Sequence, residues 1–216
     1  MNPSEEQRAL HSESQVAFIF PNAKSDLTGV SVKYAPDSAK HWFVIRASYG
    51  RVQKAANLLI EEGVYHYVPK KYAERIVHGK RVRYLKPLIP NLLFVYASPG
   101  QMYELVRNTP KLHFISFYYN HFDYNEFNRN PPLTVPDFQM EALVKATVSA
   151  NEHLLFLQPG SVKFKTGDIV RVIAGAFTGV EGKVARVAGQ QRVVVTLTDI
   201  GLVATAYIPS QFLAPV

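Results

Sequence analysis

The chain has 216 residues, 47% of them apolar, with a formal net charge of +7 and no cysteine, which is enough for one large or two small domains with a real core. The lack of cysteine excludes disulfides, thiolate zinc sites and cysteine nucleophiles. No apolar run approaches a membrane span, and "VAFIF" is too short for a signal peptide, so a cytoplasmic protein without membrane contact is expected.

Residues 1–40 carry four basic and five acidic groups, 41–160 fourteen and nine, and 161–216 six and three, so the excess that favours polyanionic partners lies after the arm. Within the arm, "MNPSEEQRALHSES" reads as flexible, while "QVAFIF" and "GVSVKY" alternate like short strands. The arm is either a loose leader or a strand added to the next domain. "HWFVIRAS" is an apolar run of strand length. "RVQKAANLLIEEG" then places Val52, Ala55, Ala56, Leu59 and Ile60 on one helical face, and Gly63 stops the helix. "VYHYVP" reads as a strand, and "KKYAERIVHGKRVRYLKP" as a hairpin turning at Gly79. "NLLFVYA" is a buried strand, "PGQMYELVRN" a helix started by Pro99, and "KLHFISF" a further strand. "YYNHFDYNEFNRNPP" has no period and is a loop; "VPDFQMEALVKATVSAN" is a helix with Asp137 as N-cap. This order predicts an α+β domain, a mixed or antiparallel sheet with flanking helices, over 41–150.

Residues 151–163, with Pro159-Gly160, read as a linker, and 164–216 are strand and turn only. Five short strands in so few residues predict a small closed barrel of SH3-like form. A phosphate-binding loop would need glycines leading into a helix with Lys-Ser or Lys-Thr at its end. Here Gly182 precedes Lys183-Val184 and a strand, so Gly167, Gly175, Gly179 and Gly182 are expected to make turns.

Gly167, Asp168, Val170, Val172, Gly175, Phe177, Gly179, Gly182 and Val184 resemble a KOW motif, the Gly-Asp-x-Val hairpin of NusG-type transcription factors and some ribosomal proteins. "HWFVIRASYG", "RVQKAANLLIEEG", "GKRVRYLKPLIPNLLFV" and "LVRNTPKLHFISF" in series resemble the N-terminal domain of the NusG family. The stretch before "LLFV" is closest to the RfaH form, and Tyr49-Gly50-Arg51 is similar to the "YGR" of UpxY-type paralogues that regulate polysaccharide operons.

The resemblance implies a transcription elongation or antitermination factor, with an operon-specific role open to it. Its first domain would bind the clamp of RNA polymerase through an exposed patch of Ile89, Pro90, Leu92 and Phe94, with Leu93 and Val95 as core. It would also face upstream or non-template DNA, or nascent RNA, through Arg51, Lys54 and Lys111. The hairpin cations, Lys80, Arg81 and Arg83 among them, are either a solvated surface or phosphate contacts. Tyr103 either stacks on a base or packs on its helix. Phe177 is a lid on the barrel or a docking knob, and with Ile200 it is expected to dock a termination factor or a ribosomal protein. The RfaH branch can refold this domain into a helical hairpin, but "QRVVVTLT" and the glycines favour permanent strands. No constellation supports catalysis: the histidines lack metal-ligand spacing, no cofactor motif is present, and Gly-x-Ser-x-Gly is absent. The alternative is a ribosome-associated or other RNA-binding KOW protein, which leaves the first domain unexplained.

Overall fold

The structure, a computed structural model, describes residues 20–25, 28–120, 130–149, 153–158, 161 and 164–216. The expected flexible start of the arm and most of the 118–132 loop lie outside the described residues.

Strands β1 (Ala23–Lys24) and β2 (Ser31–Val32) pair antiparallel. They belong to a strap laid over the domain that follows. Phe20 and Tyr34 join Trp42, Tyr65 and Tyr96 in an aromatic cluster, with Tyr34 stacked 5.8 Å from Trp42. The Tyr65 hydroxyl donates to the Pro21 carbonyl (2.6 Å), and the Tyr96 hydroxyl both accepts from the Asp37 N–H and donates to its carbonyl. The described part of the arm is therefore docked on the domain.

The domain runs β3 (His41–Ala47), α1 (Val52–Glu61), β4 (His66–Tyr67), β5 (Lys70–Val77), β6 (Lys80–Pro87), β7 (Leu92–Ala97), α2 (Pro99–Arg107), β8 (Ile115–Phe117), β9 (Thr134–Val135) and α3 (Asp137–Ser149). Its sheet is antiparallel, ordered β4-β7-β3-β8, with β9 also paired to β3. Strand side chains alternate between faces. Phe43, Ile45, Leu93 and Val95 pack in one core with residues of α1 and α2. Trp42, Val44, Leu92, Phe94 and Tyr96 lie in a second core with residues of α3. Both faces are covered, which is why β3 and β7 read as continuous apolar runs. Ser98 caps α2, its Oγ accepting from the Gln101 N–H, and Pro99 takes the first helical position, where no N–H is needed. Asp137 does not cap α3; it sits in the first turn, and the Pro136 carbonyl accepts from Gln139 and Met140. A carboxylate there still suits the positive end of the helix.

His66 is buried in β4, and burial lowers its imidazole to about 4; its Nδ1 lies 3.4 Å from the Val64 carbonyl. The unfolded chain takes up that proton near pH 6.5. Stability from this group is therefore full above 6.5 and is lost as the pH falls toward 4. At pH 4.5 the expected loss is about 2–3 kcal/mol. Urea unfolding at pH 7.5 and 4.5 reads it, and His66→Leu should remove that part of the decline.

The C-terminal unit consists of β10 (Leu155–Leu157), β11 (Phe164–Val172), β12 (Glu181–Val187), β13 (Gln190–Leu197), β14 (Gly201–Tyr207) and β15 (Leu213–Pro215). They form a six-stranded antiparallel sheet ordered β10-β14-β13-β12-β11-β15. Residues 168–198 are strand and turn, as propensity predicts, and no helix occurs there. One strand comes from the expected linker: Leu155–Leu157 pairs with β14. A three-residue apolar run carries no period to announce it. Gly175 and Gly179 turn the chain at φ +86° and +85°. Gly182 does not turn it. A Cβ there would lie 2.5 Å from the Val194 carbonyl oxygen, so glycine serves the close approach of β13, and Gly167 lies within β11.

Candidate functional site

Helix α3 has apolar residues on more than one side, as a helix buried between two bodies must. Met140, Leu143, Val144 and Ala146 are buried. Toward the first sheet, Tyr67 Oη meets Thr147 Oγ1 at 2.5 Å; since that hydroxyl donates to the Leu143 carbonyl, Tyr67 is the donor. Toward the C-terminal sheet, the Gln139 amide grips Thr198 twice, donating to Oγ1 (2.9 Å) and accepting from the N–H (3.1 Å). A Cβ on Gly179 would lie 4.0 Å from the Lys145 chain. The apolar cluster is continuous from Phe20 and Trp42 through α3 to Val193, Val195 and Ile208.

This arrangement corrects the expected exposure of two patches. Ile89 is 1% exposed, Leu92 7% and Phe94 0%, and of that patch only Pro90 is open to solvent. Phe177 and Ile200 are each 6% exposed, in the same cluster as α3. The expectation of bare patches missed a shared cover: both apolar sets lose less to water when one helix lies between them. Leu93 and Val95 are core, on the opposite face of β7.

Strands β5 and β6 pair with each other alone among the described strands, from Lys70 opposite Pro87 to Val77 opposite Lys80. The ribbon holds seven cations and one acid, Glu74. Pairing register separates residues that the sequence merges. Lys71, Arg75, Lys80 and Lys86 lie on one face; Arg81, Arg83 and Glu74 lie on the other. The Arg83 guanidinium covers the Tyr72 ring at 3.7 Å, and Arg75 lies 5.1 Å from the Tyr84 ring.

At the start of α1, Arg51 lies 4.4 Å over the Phe114 ring and the Lys54 ammonium 5.4 Å from it. Lys111 sits in a 3-10 turn (Pro110–Leu112), beyond the end of α2, and makes an exposed ion pair with Glu61 at 3.9 Å. Such a pair contributes little and leaves the cation open to exchange. Tyr103 packs 5.0 Å from the Phe117 ring while remaining partly exposed.

Residues 40–143 match the NusG family, described as transcription termination factor NusG. The chain carries a NusG-family domain. The match takes in β3, the ribbon, α1, α2 and the first half of α3, and ends before Val144 and Thr147. Arg51, Lys54, Lys111 and the ribbon cations all belong to the NusG domain, whereas Phe177 and Ile200 lie outside the match.

Sequence reasoning missed two features here. Gln139 and Thr198, which join the NusG domain to the β unit, carry no local signal. In the sequence Tyr49 stands out only within "YGR", yet it is 92% exposed at φ +56°. Its signal was an aromatic placed directly before glycine at the end of an apolar strand. Among the described residues no group of three or more His, Asp or Glu could hold a metal, and no helix is long and apolar enough to cross a membrane.

Proposed function

We propose that the protein is a transcription elongation and antitermination factor that binds the clamp region of RNA polymerase through its NusG domain. The family match over 40–143, followed by an antiparallel β unit bearing the Gly-Asp-x-Val hairpin, carries this reading. The β unit acts as a KOW module that recruits a termination factor or a ribosomal protein through Phe177 and Ile200. Upstream or non-template DNA, or nascent RNA, runs along the cations of the NusG domain. Action on particular operons, as in RfaH and UpxY-type paralogues, fits the "YGR" and "PNLLFV" stretches.

The geometry adds a requirement. Ile89, Leu92 and Phe94 on one side and Phe177 and Ile200 on the other are covered in this conformation. Partner engagement through Phe177 and Ile200 therefore needs α3 and the β unit to part, and the polar clasp of Gln139 on Thr198 is the link to break first; engagement through Ile89, Leu92 and Phe94 needs α3 to leave the first sheet. Sedimentation of the full chain with purified RNA polymerase tests the reading: co-sedimentation is expected. Binding to ribosomal particles with none to polymerase would favour the RNA-binding alternative.

A further inference from the structure

Leu92, Phe94 and Tyr96 alternate onto one face of β7, and the register brings Val44 and Tyr67 level with Phe94 and Trp42 level with Tyr96. Two covers divide this face. Helix α3 closes the Phe94 end, where Thr147 meets the Tyr67 hydroxyl. The arm closes the Tyr96 end: the Tyr34 ring lies 4.8 Å from that of Tyr96, and Phe20 lies 5.4 Å from Trp42. One step of two residues, about 7 Å, separates the covers along β7.

The arm is held less firmly than the rest of the domain. Strands β1 and β2 pair with each other and, among the described strands, with no other. A two-stranded hairpin is marginal by itself in water, so its order depends on what it lies upon. Two hydroxyls bind it to the domain, Tyr65 donating to the Pro21 carbonyl and Tyr96 bonding both backbone groups of Asp37. A crevice of about 70 Å³ remains between arm and domain, lined by Val32, Lys33, Gly63, Tyr65, Tyr96 and Gln101. Trp42 Nε1 is buried with no hydrogen-bond partner among the described residues, which disfavours the closed state. Burial first, then Tyr96 and the Asp137 carboxylate in the first turn of α3, raise the Tyr34 hydroxyl above its usual value, so the arm lies within electrostatic reach of that helix. The family match begins at residue 40, and the arm lies before it.

We propose that residues 20–25 and 28–39 are an autoinhibitory strap: seated on Trp42, Tyr65 and Tyr96, they hold α3 shut over Leu92 and Phe94, and loosening the strap lets the helix lift. The strap rests on the reading that this face engages RNA polymerase, and it adds that the arm sets how often the face opens.

Tyr65→Phe with Tyr96→Phe in the full chain removes these three hydrogen bonds and keeps every ring. Amide hydrogen exchange read by mass spectrometry, beside co-sedimentation with purified RNA polymerase, tests the strap. Exchange of the arm should rise at least about tenfold, since each lost bond contributes a few-fold. Exchange of α3 should rise with it while β3 and β7 stay protected, and polymerase should bind more tightly by a similar factor. Tyr34→Ala, which removes the central ring of the arm, should act alike. A faster arm over an α3 that exchanges as in wild type would overturn the strap. So would unchanged or weaker polymerase binding by a loosened arm, or wild-type exchange of the arm in both variants. Polymerase bound by none of the three proteins would sink the factor reading alone, and the exchange of α3 would still decide the coupling.

Discussion

Phe177→Ala is expected to destabilise the full chain by about 3 kcal/mol, the lower end of the range for a buried phenylalanine. The ring sits in a turn bounded by Gly175 and Gly179, a position that in a bare barrel would be a loop tip. Here it is buried in the cluster that α3 shares with both sheets. Truncation removes its contacts, and the surrounding turn cannot collapse freely, because the Gly179 N–H donates to the Val172 carbonyl at 2.7 Å and the Val180 N–H to Phe177 at 3.0 Å. Ile169→Ala and Ile173→Ala, on exposed side chains of the same unit, should change stability by only about 0.5 kcal/mol and serve as controls. Urea unfolding gives the values. A loss below about 1 kcal/mol at Phe177 would mean that the ring is solvated and the β unit undocked.

Ile89→Glu is expected to unfold the NusG domain rather than only to silence it. A variant on an exposed patch would keep its fold and lose a partner, but Ile89 is 1% exposed between β6 and β7, in the same core as Leu88, Trp42 and Phe94. A carboxylate there must ionise without a partner or remain protonated among apolar groups, and either costs at least ~4 kcal/mol. Leu92→Glu should behave alike, whereas Pro90→Glu, at the exposed position between them, should leave melting unchanged. Thermal melts followed by circular dichroism decide. A folded Ile89→Glu protein melting within a few degrees of wild type would show that this face opens readily to water.

Much of the fold was legible because it rests on local periodicity. The 3.6-residue spacing of Val52, Ala55, Ala56, Leu59 and Ile60 gave α1, and Gly79 between two alternating runs gave the ribbon. What was not legible depends on what lies across from a residue. Nothing near Phe177 says whether water or a helix faces it. The amide of Gln139 reaches Thr198 across 59 positions of chain, and no local pattern encodes that pairing. The ribbon cations were visible, but their division into two faces required the register, because a shift of one residue would exchange the sets. Tyr49 was visible as a letter, whereas its exposure and left-handed backbone are features that composition does not report.

Helix α3 lies in the one apolar cluster that takes in both docking faces, and binding of a partner through Phe177 and Ile200 requires it to part from the β unit. The chain has no cysteine, so Gln139→Cys with Thr198→Cys places the only two thiols across the clasp. Co-sedimentation with purified termination factor and with ribosomal particles, before and after joining the thiols with a short bismaleimide, is the direct measurement. The unlinked protein is expected to bind one of the two and the linked protein neither; equal binding by both forms, or by neither, would contradict a closed docking face.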